Sequence, residues 1–223
     1  MLLKLTLTKP EVPGVRSFVW EKPAEFTFYP GQYLDYKLPI IDPNSSSRSF
    51  TLASSPTEDF LMLTAREGQS IFKQKLFSLK PGETIETSHP AGTFILDETA
   101  PAVMIAGGIG ITPFRSMIKY AVDQKLKTPI TLIYLNSNDD FPFKNALKAW
   151  QKNLPNLTIQ LVNTTKEGLL DDQKLQSLTT NCSLPTTIYY LAGPPPMVDN
   201  FDAMLQSLRV DKTNIRCDHF GGY

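Results

Sequence analysis

The segment 102–118, AVMIAGGIGITPFRSMI, constrains the fold of this chain more than any other. Residues 102–106 are an unbroken apolar run with the length of one buried strand. Gly107, Gly108 and Gly110 follow. Beyond Thr112 and Pro113, the apolar residues Phe114, Met117 and Ile118 recur at helical spacing. Pro113 suits the first turn of a helix, where a missing N–H breaks no hydrogen bond. A strand, a turn without Cβ atoms and a helix N-terminus together make a receiver for an anionic phosphate, because unpaired amides and the helix dipole converge there. The spacing is not G-x-G-x-x-G, so the usual dinucleotide fingerprint is absent. A tight strand-to-helix turn with no ligand would call for the same glycines.

The chain on either side of this segment has two textures. Up to about residue 97 it reads as short strands, expected at 2–8, 15–20, 33–38, 49–53, 61–64, 84–87 and 93–96. In the first of these Leu3, Leu5 and Leu7 alternate with Lys4, Thr6 and Thr8, the period of a half-buried strand. One helix interrupts the series at 70–79, with Ser70 as N-cap and Pro81-Gly82 as its stop. After residue 97 apolar runs at 102–106, 130–135, 157–162 and 187–191 alternate with helical patterns at 114–124, 143–151, 171–178 and 195–208. That alternation means a parallel sheet with crossover helices. The expected fold class is β followed by α/β: a six-stranded antiparallel barrel with one helix over residues 1–98, then a doubly wound parallel-sheet domain over residues 99–223.

Composition excludes several classes of function. Twenty-two basic residues balance 22 acidic ones, so no charge excess points to nucleic acid or an anionic membrane surface. Cys182 and Cys217 are too few for an iron–sulfur cluster or a four-cysteine zinc site, and they read as unpaired thiols in a reducing compartment. No apolar run is long enough for a signal peptide or a membrane span. The expectation is a soluble, cytoplasmic monomer that binds no metal and no nucleic acid and does not insert into a membrane. His89 beside Pro90 reads as a solvent-facing loop residue.

Four motifs carry chemistry. Pro30 to Tyr33 read PGQY, residues 48–56 read RSFTLASSP, residues 107–114 read GGIGITPF, and residues 192–198 read AGPPPMV. An arginine can fork onto a phosphate and an aromatic can lie on a flat heterocycle. In this order, the four resemble the ferredoxin–NADP reductase superfamily along nearly the whole chain. The likeness is nearest to single-module flavin reductases without an iron–sulfur domain, whose chains end in an acidic pair, Phe, a small residue, Gly and Tyr. Here the end reads Asp218-His219-Phe220-Gly221-Gly222-Tyr223.

The resemblance implies FAD, in preference to FMN, held between the two domains, with NADH or NADPH as electron donor. Arg48 is placed on the flavin pyrophosphate, with Ser49 beside it, Phe50 against the ring and Thr51 near flavin N5. Leu63, Thr64 and Ala65 line the adenine side, and Ser70, Ile71 and Phe72 form a second phosphate segment in which Lys73 is a solvated charge. Gly107, Gly108, Gly110, Thr112 and Pro113 cradle the nicotinamide cofactor's pyrophosphate. Gly193, Pro194, Pro195 and Met197 turn beside the nicotinamide, with Ala192 where many relatives have cysteine. Ser137, Asn138 and Asp139 face the adenosine ribose, and the acid there favours NADH over NADPH. Phe220, or else Tyr223, covers the flavin. Asp218 and His219 stand in for the usual acids. Thr51 and Phe220 are the candidate catalytic residues of a hydride transfer, with electrons passing to a separate ferredoxin, flavodoxin, haem protein or oxygenase component. A free-flavin reductase and a nucleotide-binding electron-transfer subunit are the alternatives.

Overall fold

A computed structural model describes residues 1–43, 45–179 and 186–221. The first half builds one antiparallel sheet from β1 (Leu2–Val12), β2 (Val15–Glu21), β3 (Tyr33–Lys37), β4 (Ser47–Thr51), β5 (Phe60–Arg66) and β6 (Thr84–Thr87), in the order β4-β3-β6-β1-β2-β5. The two outer strands meet through a bridge between Leu52 and Leu63 and through Ala53 N–H donating to the Met62 carbonyl at 2.7 Å. The sheet thereby closes on itself, which removes its exposed edges. Leu3, Leu5, Phe18, Trp20, Leu34 and Leu61 fill the interior, and each fully buried side chain of this size stabilises the barrel by about 1.5–3 kcal/mol. Leu7, expected inward, is 47% exposed because the pairing register shifts between Leu5 and Leu7 and turns it outward.

Helix α1 (Ile71–Ser78) lies between β5 and β6. Ser70 caps it, accepting from the Lys73 N–H at 3.3 Å, and Phe72 and Leu76 anchor it to the barrel core. The strand expected at 93–96 does not form. Phe94 instead packs edge-on against Tyr190 at 5.5 Å, and the Ile95 carbonyl accepts from Arg216 at 2.8 Å. The alternation there serves packing against the second half, not a sheet.

The second half is a parallel sheet of β7 (Ala102–Gly107), β8 (Ile130–Asn136), β9 (Leu157–Asn163), β10 (Ile188–Gly193) and β11 (Ile215–His219), ordered β11-β10-β7-β8-β9. Helices α2 (Ile111–Asp123) and α3 (Lys144–Asn153) cover one face through Phe114, Ile118 and Leu147. After the short α4 (Thr164–Glu167), helices α5 (Asp172–Thr179) and α6 (Pro195–Ser207) cover the other through Leu175, Val198 and Phe201. Both faces are therefore buried, as a doubly wound sheet requires. Strand order reverses between β7 and β10, the point where such sheets open a crevice at their C-terminal ends. Neither α4 nor β11 is evident from sequence: α4 is a single turn, and IRCDH has no apolar run and pairs only at the sheet edge.

The two halves share a packed seam. Ala53 and Met62 of the barrel lie in the same apolar cluster as Phe114 and Met117 of α2. Arg115 reaches across to Glu58 with two hydrogen bonds, at 2.5 and 2.9 Å, and to the Ala53 carbonyl at 2.8 Å. Its guanidinium lies within 5.6 Å of the Phe143 ring and 5.2 Å of the Trp150 ring. Ser116 donates to the Ser54 carbonyl at 2.6 Å. Among the described residues no helix is long and apolar enough to cross a membrane, and no cluster of metal-ligating side chains occurs. Cys217 is a free, exposed thiol, whereas Cys182 lies outside the described residues. His89 is exposed in its loop.

Candidate functional site

A cavity of about 1100 Å³ opens between the barrel and the C-terminal ends of β7 and β10. On the sheet side its wall begins at Gly107, Gly108, Ile109 and Thr112. Gly108 has φ +54°, a conformation that disfavours any Cβ, and a Cβ there would meet only the Asn136 Oδ1, at 3.9 Å. Gly110 is glycine for another reason: a Cβ there would lie 2.2 Å from the Ala192 carbonyl oxygen. Gly107 and Gly193 are likewise in mutual contact, with the Gly193 Cβ position 3.1 Å from Gly107 backbone atoms. Gly107, Gly108 and Thr112 thus face the cavity, while Gly110, Pro113 and Gly193 lie off its wall. Gly110 and Gly193 hold the β7 and β10 turns together. Ala192 is fully buried behind them. Helix α2 starts without a side-chain cap, although the Ile111 N–H already donates to the Ile109 carbonyl and Pro113 has no N–H.

The start of α6 has the opposite chemistry. Pro194, Pro195 and Pro196 line the cavity with Met197. The prolines have no N–H, so this helix end offers few donors to a phosphate. It is an apolar wall suited to a flat ring. Phe220 completes that wall, its N–H donating to the Gly193 carbonyl at 2.8 Å. Tyr223 lies outside the described residues.

On the barrel side Tyr33, Ser49, Phe50 and Thr51 reach the cavity. Phe50 stacks on Phe72, with ring centroids 5.9 Å apart. Arg48 does not line the cavity. It turns inward and pairs with Asp42 at 3.1 Å, and it donates to the Ser45 and Ser47 carbonyls. Arg48 shares its face of β4 with Phe50, and both lie against the Phe72 ring, so it is the pair with Asp42, not strand alternation, that holds the guanidinium off the cavity wall. The second phosphate segment is also placed differently. Ser70 is a helix cap, Ile71 is exposed and Phe72 is buried in the core, so none of the three reaches the cavity. Leu63 is fully buried, and the Thr64 hydroxyl bonds Ser17 at 2.8 Å, leaving Thr64 and Ala65 on the wall.

The cations that do face the cavity are Arg66 and Lys73. Neither has an ion-pair partner among the described residues. Partial burial and then the neighbouring Arg66 charge hold the Lys73 ammonium below its usual pKa. A bound anion would relieve both effects. Arg66 also lies within electrostatic range of Tyr134, whose hydroxyl donates to the Gly108 carbonyl at 2.9 Å, so these cations look across the crevice toward the glycine turn. Only one sequence signal pointed to them: a basic residue closing a strand and another in the first turn of the following helix.

At the far end, Asn136, Ser137 and Thr164 form the wall. Asn138 folds back to accept from Asn136 at 2.8 Å and from the Asp140 N–H at 3.0 Å. Asp139 pairs with Lys166 at 2.5 Å and accepts from Asn163 at 2.9 Å. Neither faces the cavity, which corrects their expected place beside a ribose.

Asp218 and His219 line the cavity on β11. His219 bonds Asp199 at 3.0 Å. Burial pushes the Asp218 carboxyl above its ordinary pKa, and the nearby His219 opposes this. Ionised Asp218 is therefore less favourable in the folded chain than in the unfolded one, so its penalty is present above the ordinary carboxylate pKa and disappears as pH falls below it. Asp218→Asn is expected to raise the urea midpoint at neutral pH, with the difference from the parent closing under acid conditions.

Sequence and structural relatives agree with this geometry. Residues 104–202 match the model of the oxidoreductase NAD-binding domain. The chain is 25% identical to flavohemoprotein A of Dictyostelium discoideum over 95% of its own length. The flavohem-like FAD/NAD-binding domain of the nitric oxide dioxygenase from Vibrio cholerae O1 biovar El Tor superposes with a TM-score of 0.82, at 20% identity, over 99% of this chain and 98% of that one. Ferredoxin–NADP+ reductase from Plasmodium falciparum superposes with a TM-score of 0.81, at 18% identity, over 98% and 95%. The chain carries an oxidoreductase NAD-binding domain at residues 104–202, and along its length it is similar to flavohemoproteins and shares the fold of ferredoxin–NADP+ reductase. It spans 58% of the length of flavohemoprotein A.

Proposed function

We propose that this chain is an NAD(P)H-dependent flavoprotein reductase that binds FAD and a nicotinamide dinucleotide in the crevice and passes electrons to a separate redox protein. The observation that carries this reading is the unpaired cationic couple, Arg66 and Lys73, lining the same cavity as the uncapped glycine end of α2. The residues present fit two phosphate-bearing ligands with flat rings. Anion-binding groups occur on both sides, and between them lie Phe50, Phe220 and the proline wall of α6. Bound there, the two cofactors supply hydride transfer between their rings and electron release in single steps.

The protein's own contribution is placement. Arg66 and Lys73 grip phosphate oxygens from the barrel, and the glycine turn at the positive end of the α2 dipole receives them from the sheet. Phe50 provides the flat apolar contact for one ring, and Met197 with Pro194 to Pro196 provides it for the other. Phe220 covers the crevice and keeps water out until a nicotinamide takes its place. Thr51 offers a hydroxyl at the cavity wall. Two rings held this way react at high effective concentration.

The adenosine end supports NADH as the preferred donor. Its wall groups, Asn136, Ser137 and Thr164, are neutral, and Lys166 is already held by Asp139. A 2′-phosphate would meet no unpaired cation among the described residues there. The relatives named flavohemoproteins favour a haem protein as the electron acceptor.

The test is anaerobic addition of NADH, then of NADPH, to the FAD-loaded protein. Bleaching of the oxidised flavin band at about 450 nm, faster with NADH, is the expected result. A band that stays unchanged with both donors would remove the reductase reading.

A further inference from the structure

Tyr134 is a fully buried residue whose hydroxyl donates to one backbone oxygen beside the cavity. It stands on β8 opposite Ala106 of β7, and Phe141 packs edge-on against its ring, with centroids 5.0 Å apart. From there the hydroxyl reaches beyond the end of β7 to the Gly108 carbonyl, at 2.9 Å. Burial pushes the phenol above its usual pKa, so the hydroxyl keeps the proton that makes this bond. Gly108 and Ile109 line the cavity and Tyr134 does not, so the bond is made on the core side of the turn. A trans peptide is planar, and its N–H and C=O point in opposite directions. With the Gly108 carbonyl held toward the core, the Ile109 N–H of the same peptide is turned to the cavity side. Gly108 is the point at which that orientation is easily lost. Glycine changes backbone conformation at low cost, and a Cβ there would meet only the Asn136 Oδ1, at 3.9 Å.

We propose that Tyr134 is a positioning residue for dinucleotide binding: its hydroxyl keeps the Gly108–Ile109 peptide from flipping, so that an N–H and not a carbonyl oxygen meets the phosphates. Tyr134 itself touches no ligand and acts through the turn. Without the hydroxyl the peptide divides between two orientations, of which one repels an anion. A dinucleotide then binds only the competent fraction, and its apparent affinity falls by that fraction. This inference rests on the nucleotide reading above.

Tyr134→Phe in the full chain tests it, because that change keeps the ring and its packing on Phe141 and removes only the donor. Isothermal titration with ADP-ribose is expected to give about tenfold weaker binding, the effect of lowering the competent fraction from nearly all to about a tenth. Riboflavin, which has no phosphate, is expected to bind both proteins equally. In the FAD-loaded protein KM for NADH rises by a similar factor, and the limiting rate of flavin reduction is unchanged. Equal ADP-ribose affinity in a folded Tyr134→Phe protein overturns the proposal and leaves the hydroxyl as a buried group that has merely found a partner. Parallel loss of riboflavin and ADP-ribose also overturns it, because it reports a loosened crevice and not a flipped peptide. Should the variant not fold, backbone NMR on the parent chain decides. A downfield shift of the Ile109 amide proton on adding ADP-ribose supports the proposal, and an unmoved Ile109 amide overturns it. A parent chain that does not bind ADP-ribose overturns the nucleotide reading itself.

Discussion

Arg66→Gln weakens binding of FAD and of ADP-ribose, while riboflavin binding is unchanged. A hydrogen bond from a charged donor contributes about 1.5–3 kcal/mol, so the expected loss is about 10- to 100-fold in Kd. Lys73→Gln gives a loss at the lower end of that range, because an ammonium makes a point contact where a guanidinium forks. The double variant falls short of the product of the two. Each cation raises the electrostatic penalty of the other, as the lowered pKa of Lys73 shows, so removing one relieves its neighbour. Lys37, which pairs with Glu86 away from the cavity, is the control, and Lys37→Gln leaves binding as it was. Isothermal titration at two salt concentrations reads all of these, with the salt dependence shrinking in step with each cation removed. Unchanged affinity in Arg66→Gln would remove the phosphate role from this couple.

The backbone was more legible in the sequence than the site. Residues 102–118 announce a strand, a glycine turn and a helix through signals that are local: an apolar run, glycines and a proline within one helical turn. The same locality explains the strand series of the barrel and the α1 cap at Ser70. What the sequence hid depended on facing and on partners far along the chain. Arg48 sits in a phosphate-type motif, yet the Asp42 carboxylate takes its guanidinium. Asp139 reads as a free acid until β9 and α4 bring Asn163 and Lys166 beside it. Gly110 reads as part of a cradle, but the contact that requires it is the Ala192 carbonyl, more than eighty residues later. The tail strand β11 had no apolar run to reveal it, because an edge strand of a parallel sheet need bury little. Arg66 and Lys73 are visible only once β5 and α1 are placed in space.

Glu58→Gln should have the largest effect on the fold as a whole. Glu58 and Arg115 are 11% and 9% exposed at their side chains, and Arg115 brings together the barrel strand end at Ala53, the start of α2 and the rings of Phe143 and Trp150. Removing one partner of a buried pair leaves the other charge without compensation, a loss of about 3–5 kcal/mol. That is a large share of the stability of a domain, about 5–15 kcal/mol. The loss also falls on the seam itself, so the two halves should stop unfolding together. Calorimetry is expected to show a lower first transition and a second, separate one, where the parent gives a single peak. Dinucleotide binding should weaken along with it, because the cavity is built from both halves and no contact of Glu58 lines it. The paired replacement Glu58→Met with Arg115→Met should restore much of the stability, since apolar side chains of similar length fill the space with no charge to desolvate. It should not restore the full binding affinity, because the hydrogen bond from Arg115 to the Ala53 carbonyl, next but one to Thr51 on the cavity wall, is gone. A single cooperative transition in Glu58→Gln, at the parent's midpoint, would mean that apolar packing alone fixes the crevice.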